Sequence, residues 1–241
     1  MNIDRRHLWK EAFGDTDEFL DIFSATAYAH ERSNSVEIDG KTVAALYWLD
    51  CQYGEKKIAY IYAVATAKAH RGQGLCHRLM EDSHRLLREQ GYAGAMLVPG
   101  NKWLVNLYAG MGYEPCTQIG QLSVTAAGYI ECMPIDKSEY AVLRRQFLPQ
   151  GGIIQEGENL DFLERQAQFY RGSDFVLAAR KEGETLIGLE LLGNPETASG
   201  IVGALGCKTG EFRIPNGNIP FAMGLFFEEM PKPTYFGFAF D

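Results

Sequence analysis

Val64-Ala65-Thr66-Ala67-Lys68-Ala69-His70-Arg71-Gly72-Gln73-Gly74-Leu75-Cys76-His77-Arg78-Leu79 is the stretch that decides the fold. A β-rich run ends at Thr66, a basic turn with two glycines follows, and an amphipathic helix starts at Leu75. The first turn of a helix has N–H groups without intrahelical partners and the positive end of the helix dipole, a combination that attracts phosphate. Gly72 and Gly74 place no Cβ between that backbone and an anion. The run therefore predicts a bound pyrophosphate and, with it, a phosphorylated cofactor.

Upstream, two helical patterns precede the turn. Leu8, Ala12 and Phe13 share one face, Gly14-Asp15 interrupts, and Phe19, Leu20, Ile22 and Phe23 resume at helical spacing. Ser35–Ile38 and Val43–Leu49 flank Asp39-Gly40, a hairpin signal, and Ile58–Thr66 reads as the next strand. Downstream, the helix carries Leu75, Leu79, Met80, Leu86 and Leu87 and stops near Gly91. Gly94–Pro99 reads as a strand whose end delivers Asn101, and a helix through Leu104, Leu107 and Tyr108 is closed by Gly110 and Gly112. This order predicts an α/β (α+β) fold, a mixed central sheet flanked by helices.

The bulk numbers narrow the class. A chain of 241 residues with 46% hydrophobic and 22% charged residues is an ordinary globular protein of one large or two small domains. Its net charge of −8 argues against nucleic-acid binding, which rests on basic surface, and favours cationic substrates through long-range steering. No apolar run reaches bilayer length, and Met1-Asn2-Ile3-Asp4-Arg5-Arg6 does not read as a signal peptide, so no membrane partner is expected. Five cysteines, odd in number and without CxxC spacing, read as reduced thiols of a cytoplasmic protein. No metal is expected: His77 and His84 lie seven apart without a carboxylate at ligand spacing and read as surface residues.

From about residue 131 the order repeats loosely. Asp161-Phe162-Leu163 parallels Glu18-Phe19-Leu20, and Glu182–Gly188 parallels Asp39–Ala45. Gly203–Cys207 stands where Tyr62–Thr66 would, and Gly210–Pro215 follows with no phosphate turn. Two readings stay open, a degenerate half-repeat and an unrelated α/β piece, with the boundary near 125 (residues 1–125 and 126–241). The aromatic-rich end (Phe221, Phe226, Phe227, Tyr235, Phe236, Phe238, Phe240) reads as the core of a sheet.

Arg71-Gly72-Gln73-Gly74-Leu75-Cys76 resembles the R/Q-x-x-G-x-G/A signature of the GCN5-related N-acetyltransferases (GNAT). Asn101-Lys102-Trp103-Leu104-Val105-Asn106-Leu107-Tyr108-Ala109-Gly110-Met111-Gly112-Tyr113 is similar to that family's N-x-x-A-x-x-L-Y-x-x-x-G-F/Y segment, with Leu104 at the usual alanine. Together they cover roughly residues 58 to 115, and the second half resembles the degenerate copy in the enhanced-intracellular-survival type of tandem acetyltransferase, without that group's third domain. Cys76 departs from the final Gly/Ala of the signature, and the family's first strand is nearly absent. Tyr235–Phe240 is a candidate to cover that sheet edge.

The resemblance implies acetyl-CoA as cofactor and acetyl transfer to a primary amine, by direct attack in a ternary complex, as the activity. Val64, Ala65 and Thr66 would pair their backbone with the pantetheine amides. The N–H groups of Gly72, Gln73, Gly74, Leu75, Cys76 and His77, with Arg71 nearby, would hold the pyrophosphate. Asn101 would contact the pantetheine arm, and Tyr108 would sit beside the thioester sulfur as catalytic acid. A neutral phenol can protonate a departing thiolate, and an N–H near Val64 could stabilise the oxyanion. The residues do not name a base; the candidates are Glu31, Asp50, Tyr60, Tyr62 and the terminal carboxylate of Asp241. The competing reading is a non-catalytic acyl-CoA-binding or sensing module. The acceptor, a small molecule or a peptide amine, stays open, as do the acyl-chain preference and a homodimer.

Overall fold

The computed structural model describes residues 1–240, so the terminal carboxylate of Asp241 lies outside the described residues. The elements of the first stretch are α1 (Ile3–Phe13), α2 (Asp17–Thr26), β1 (Ser33–Ile38), β2 (Lys41–Tyr53), β3 (Lys56–Thr66), α3 (Leu75–Glu89), β4 (Gly94–Leu97) and α4 (Lys102–Ala109). Next come β5 (Glu114–Pro115), β6 (Gln118–Thr125), β7 (Met133–Ile135), α5 (Lys137–Phe147), β8 (Ile154–Gln155), α6 (Glu158–Leu163) and β9 (Gln168–Arg171). The chain finishes with β10 (Phe175–Glu182), β11 (Thr185–Gly193), α7 (Ala198–Ala204), β12 (Thr209–Pro220) and β13 (Met223–Phe226). Among the described residues no helix is long and apolar enough to cross a membrane.

Two compact units form, and they interleave along the chain. The first comprises Met1–Glu114, Gly157–Phe162 and Met223–Met230; the second comprises Pro115–Glu156, Leu163–Ala222 and the segment from Pro231 on. A single cut near 125 does not reproduce this grouping, because β6 belongs to the second unit's sheet and β13 to the first.

In the first unit the sheet runs β1-β2-β3-β4-β13, antiparallel except for β3 beside β4. Local chemistry starts and stops its helices. The side-chain oxygens of Asn2 and Thr16 accept the N–H groups of Arg5 and Phe19, and Gly14, at φ +79°, ends α1 in the left-handed region. Alternation along β2 sends Leu46 and Trp48 to a core shared with α3, where Leu79, Met80 and Leu87 are buried at helical spacing. The opposite face carries an aromatic cluster: the Trp9 ring lies 4.7 Å from Phe23, 5.2 Å from Tyr47 and 5.6 Å from Tyr62. The buried guanidinium of Arg5 docks α1 by donating to Ser33 and Ser35 Oγ at 2.7 and 2.9 Å.

The second unit has a sheet of order β6-β12-β11-β10-β9-β7, in which only β11 and β12 are parallel, joined through α7. Gly203–Cys207, expected to stand as a strand, forms the end of α7 and the turn after it. The run is too short for periodicity to separate strand from helix, and Ile201 and Val202 are buried on a helical face. The terminal segment does not extend the first sheet. Tyr235 bridges Gly152 inside the second unit, Tyr235, Phe236 and Phe238 are buried there, and 235–240 forms no strand. On the first sheet β1 is the edge, and the strand added beyond β4 is β13. The expected strand Gly94–Pro99 ends at Leu97.

Candidate active site

β3 and β4 stay paired over only three residues, Ile58↔Gly94, Ala59↔Ala95 and Tyr60↔Met96. β4 ends at Leu97, one residue past its last pair, while β3 runs on to Thr66 beside β2, and the gap left on that side of β3 is a notch. Just past that point, Ala45↔Ala65 gives way to Tyr47↔Tyr62, so β3 carries one residue more than β2, and Ala63 takes φ +50°. A side chain in the left-handed region costs on the order of 1–3 kcal/mol, and such outliers gather where the backbone must re-aim its polar groups. Nothing in the residue types marked Ala63; only strand pairing exposes it. Val64, Ala65 and Thr66 continue along this edge, where an extended ligand can pair as an added strand.

At the end of β3 the turn has the geometry an anion needs. Gly72 and Gly74 sit at φ +73° and +74°, with nothing within 4 Å of where a Cβ would stand. The first intrahelical bond of α3 runs from Arg78 N–H to the Gly74 carbonyl at 3.0 Å, so the N–H groups of Leu75, Cys76 and His77 precede the ladder, and no side chain caps them. Arg71 folds back, its Nε donating to the Thr66 carbonyl at 3.1 Å, and fixes the loop against the strand. His77 is exposed, 3.5 Å from Glu81. Residues 71–74 are exposed, so an anion in solution can reach them.

The second motif closes the notch. Asn101 caps α4, its Oδ1 accepting Leu104 N–H at 3.0 Å. One face of α4 presents Tyr108, 6% exposed, to the same core that takes Val64, Leu75 and Cys76. Burial raises the Tyr108 phenol above the usual tyrosine range, and the Cys76 thiol adds to this electrostatically. The phenol keeps its proton at neutral pH. Burial also raises the Cys76 thiol, which packs as a small apolar residue rather than an activated one.

The candidate bases separate. Asp50 accepts the Tyr92 hydroxyl, pairs with Lys57 at 3.3 Å, and lies opposite Ala59, about 13 Å along β3 from the bulge. Its carboxylate is taken up by these two partners. Glu31 is exposed on a short 3-10 turn. Tyr60 is buried, whereas Tyr62, next to Ala63 in β3, is half-buried with its ring in the aromatic cluster of Trp9 and Phe23. His84, expected at the surface, is buried: its Nε2 lies 2.8 Å from Tyr113 Oη, and burial followed by Arg88 and His77 pushes its pKa down to about 4.

Residues 4–116 match the acetyltransferase (GNAT) domain. The mixed α/β fold is that of the GNAT family, and the notch and turn lie inside the matched region. A curated rat protein, N-acetyltransferase family 8 member 2, is 30% identical over 102 residues, 40% of this chain and 45% of that protein. The chain thus spans less than half of that relative. The solved GCN5-related N-acetyltransferase from Kribbella flavida superposes with TM-score 0.73 at 18% identity, over 92% of this chain and 68% of its own. Eis1 from Mycobacterium abscessus superposes with TM-score 0.63 at 12% identity, over 91% and 64%. At these identities the shared property is the fold.

Proposed function

We propose that the protein is an acetyl-CoA-dependent N-acetyltransferase acting on a primary amine by direct attack in a ternary complex. The observation that carries this reading is β3 itself: one strand runs on past the end of β4 to offer a pairing edge and ends in a glycine turn opening an uncapped helix N-terminus. Acetyl-CoA, when bound, supplies an acetyl thioester. The N–H groups from Gly72 to His77, with Arg71, hold its diphosphate; Val64, Ala65 and Thr66 pair with the extended arm, and Asn101 borders it.

Tyr108 holds the proton for the sulfur. A backbone N–H of β3 near Val64 would face the acetyl oxygen as the amine attacks, and the Tyr108 phenol would hold the proton for the departing sulfur. Burial makes Tyr108 a weaker acid, but the same apolar surroundings raise the proton affinity of the sulfur beside it. The acceptor's own proton leaves through a water chain at the notch. The second unit is read as a degenerate copy without cofactor chemistry, because its crossover from β11 to α7 runs through Asn194-Pro195-Glu196 and carries no glycine turn.

Thiol release from acetyl-CoA with a panel of amines, wild type against Tyr108→Phe, tests the reading. The expected result is turnover on at least one amine, reduced roughly 100-fold by the substitution, in line with the usual worth of a general acid. Tight acetyl-CoA binding with no turnover on any amine would make the protein a binding or sensing module instead.

A further inference from the structure

Two elements frame the notch, α3 with the glycine turn at its start and α4 with Tyr108, and a buried hydrogen bond ties α3 to the segment that follows α4. His84 lies on the third turn of α3, and its Nε2 is 2.8 Å from the hydroxyl of Tyr113, just past α4. Tyr113 is bound to Tyr108 in two further ways. Its amide donates to the Tyr108 carbonyl at 3.1 Å, and the two rings meet edge to face, 5.9 Å apart at 61°. The His84 ring is also held by Tyr113 at 5.5 Å and by Phe227 at 6.0 Å.

We propose that His84 and Tyr113 are positioning residues that fix the Tyr108 phenol at a set distance from the pyrophosphate turn on α3. The inference rests on the reading of Tyr108 as proton donor. A phenol turns about two side-chain torsions, and the edge of Tyr113 limits that turning only if Tyr113 itself cannot move. Its hydrogen bond to His84 supplies the restraint. Both partners are buried, 1% and 6% exposed, so water cannot replace either of them, and a broken bond leaves two orphaned polar groups. Packing alone does not need this pair, since phenylalanine and leucine would fill the same space without a hydrogen bond to satisfy. Because α3 is one rigid helix, a restraint at His84 is a restraint relative to Gly74, where the cofactor is anchored. The thioester sulfur and the proton meant for it are thereby set in one frame.

The experiment combines Tyr113→Phe and His84→Leu with Tyr108→Phe, reading kcat on the amine of the panel that releases thiol fastest and the Kd for acetyl-CoA. Tyr113→Phe is expected to lower kcat roughly tenfold, since small misplacements of reacting groups cost one to two decades, while the Kd stays within about twofold. In the Tyr108→Phe background the same substitution should cost nothing further, because the residue it acts through is already gone. Equal losses in both backgrounds, an unchanged kcat, or a matching rise in Kd would overturn the proposal. A second readout needs no turnover. In protein labelled with 3-fluorotyrosine, the Tyr108 resonance, identified by its loss in Tyr108→Phe, should be one line in wild type and broadened or split in Tyr113→Phe and His84→Leu. An unaltered line in both variants would sink the positioning role. A Tyr108→Phe enzyme with full kcat would instead sink the proton-donor reading, leaving the fluorine spectrum to judge the restraint.

Discussion

Both units contain a parallel strand pair joined by a crossover helix, and they treat it in opposite ways. In the first, β3 leads through Gly72 and Gly74 into the uncapped start of α3. In the second, β11 leads through Asn194-Pro195-Glu196 into α7. Pro195 has no N–H to offer, Glu196 brings a negative charge, and the Asn194 side chain already accepts Glu196 N–H at 3.0 Å. Beyond the strand pairing the contrast repeats. β3 passes its last partner residue with a bulge at Ala63 and an open edge. β11 gains a residue on β10 between Gly188 and Glu190, and Glu190 is fully buried.

There the second unit closes on itself. Arg144 donates to Glu190 through Nε at 2.7 Å and Nη2 at 3.0 Å, and Tyr140 and Tyr235 donate at 2.8 and 3.1 Å. Burial and the adjacent carboxylate keep both phenols protonated. A Cβ on Gly237 would stand 1.8 Å from Glu190 Oε1, so the terminal segment is fitted against this cluster. Topology makes a site possible in either unit; loop chemistry and what fills the gap beside the strand decide whether an anion can use it.

Four tests probe that contrast. Glu190→Ala strands the Arg144 charge in the interior and should destabilise the fold by about 3–5 kcal/mol, read by chemical denaturation. A loss below about 1 kcal/mol would mean that the cluster does not hold the second unit shut. Next, Gly74→Glu should raise the acetyl-CoA Kd at least about 100-fold, about 2.7 kcal/mol, by forcing a side chain into a left-handed position and a negative charge into the turn. Glu196→Gly, at the matching place in the second unit, should leave affinity unchanged; calorimetric titration of both variants decides.

The pH dependence of stability carries the third. His84 is depressed from 6.5 to about 4 in the folded chain, so the unfolded chain binds the extra proton between those values. Its contribution is complete above about pH 6.5 and is lost as pH falls toward 4. Stability of wild type minus His84→Leu should therefore shrink by on the order of 2 kcal/mol across that window. A difference independent of pH would show that His84 is not held neutral. Smallest is a pair of caps. Asn101→Ala and Asp136→Ala each remove an acceptor from a helix N-terminus, in the first and second unit, and each should cost about 1 kcal/mol of stability. Only Asn101→Ala should also weaken acetyl-CoA binding, and equal affinities would detach Asn101 from the site.

Much of the first unit was legible because its signals are local. The glycine stops after α3 and α4, the Asp39-Gly40 hairpin and the helical periodicity of residues 75–87 depend on a few neighbouring residues, and each appears where the spacing puts it. The glycine turn belongs to the same class. The second unit was less readable: Gly203–Cys207 is a short apolar run whose helical state follows from what buries it. His84 was misplaced because a histidine on a helix gives no hint that a distant tyrosine will cover it.

The residues alone were enough to place a glycine turn between β3 and the start of α3, because a strand end, two glycines and a helical period are properties of one short segment. Tertiary structure alone decided that β13, from the far end of the chain, stands beside β4, that Ala63 bulges past the end of β4, and that Tyr113 finds His84. β13 with β4 and Tyr113 with His84 are brought together by packing between residues remote in the chain, and the bulge at Ala63 shows only once β2 and β3 are paired residue by residue.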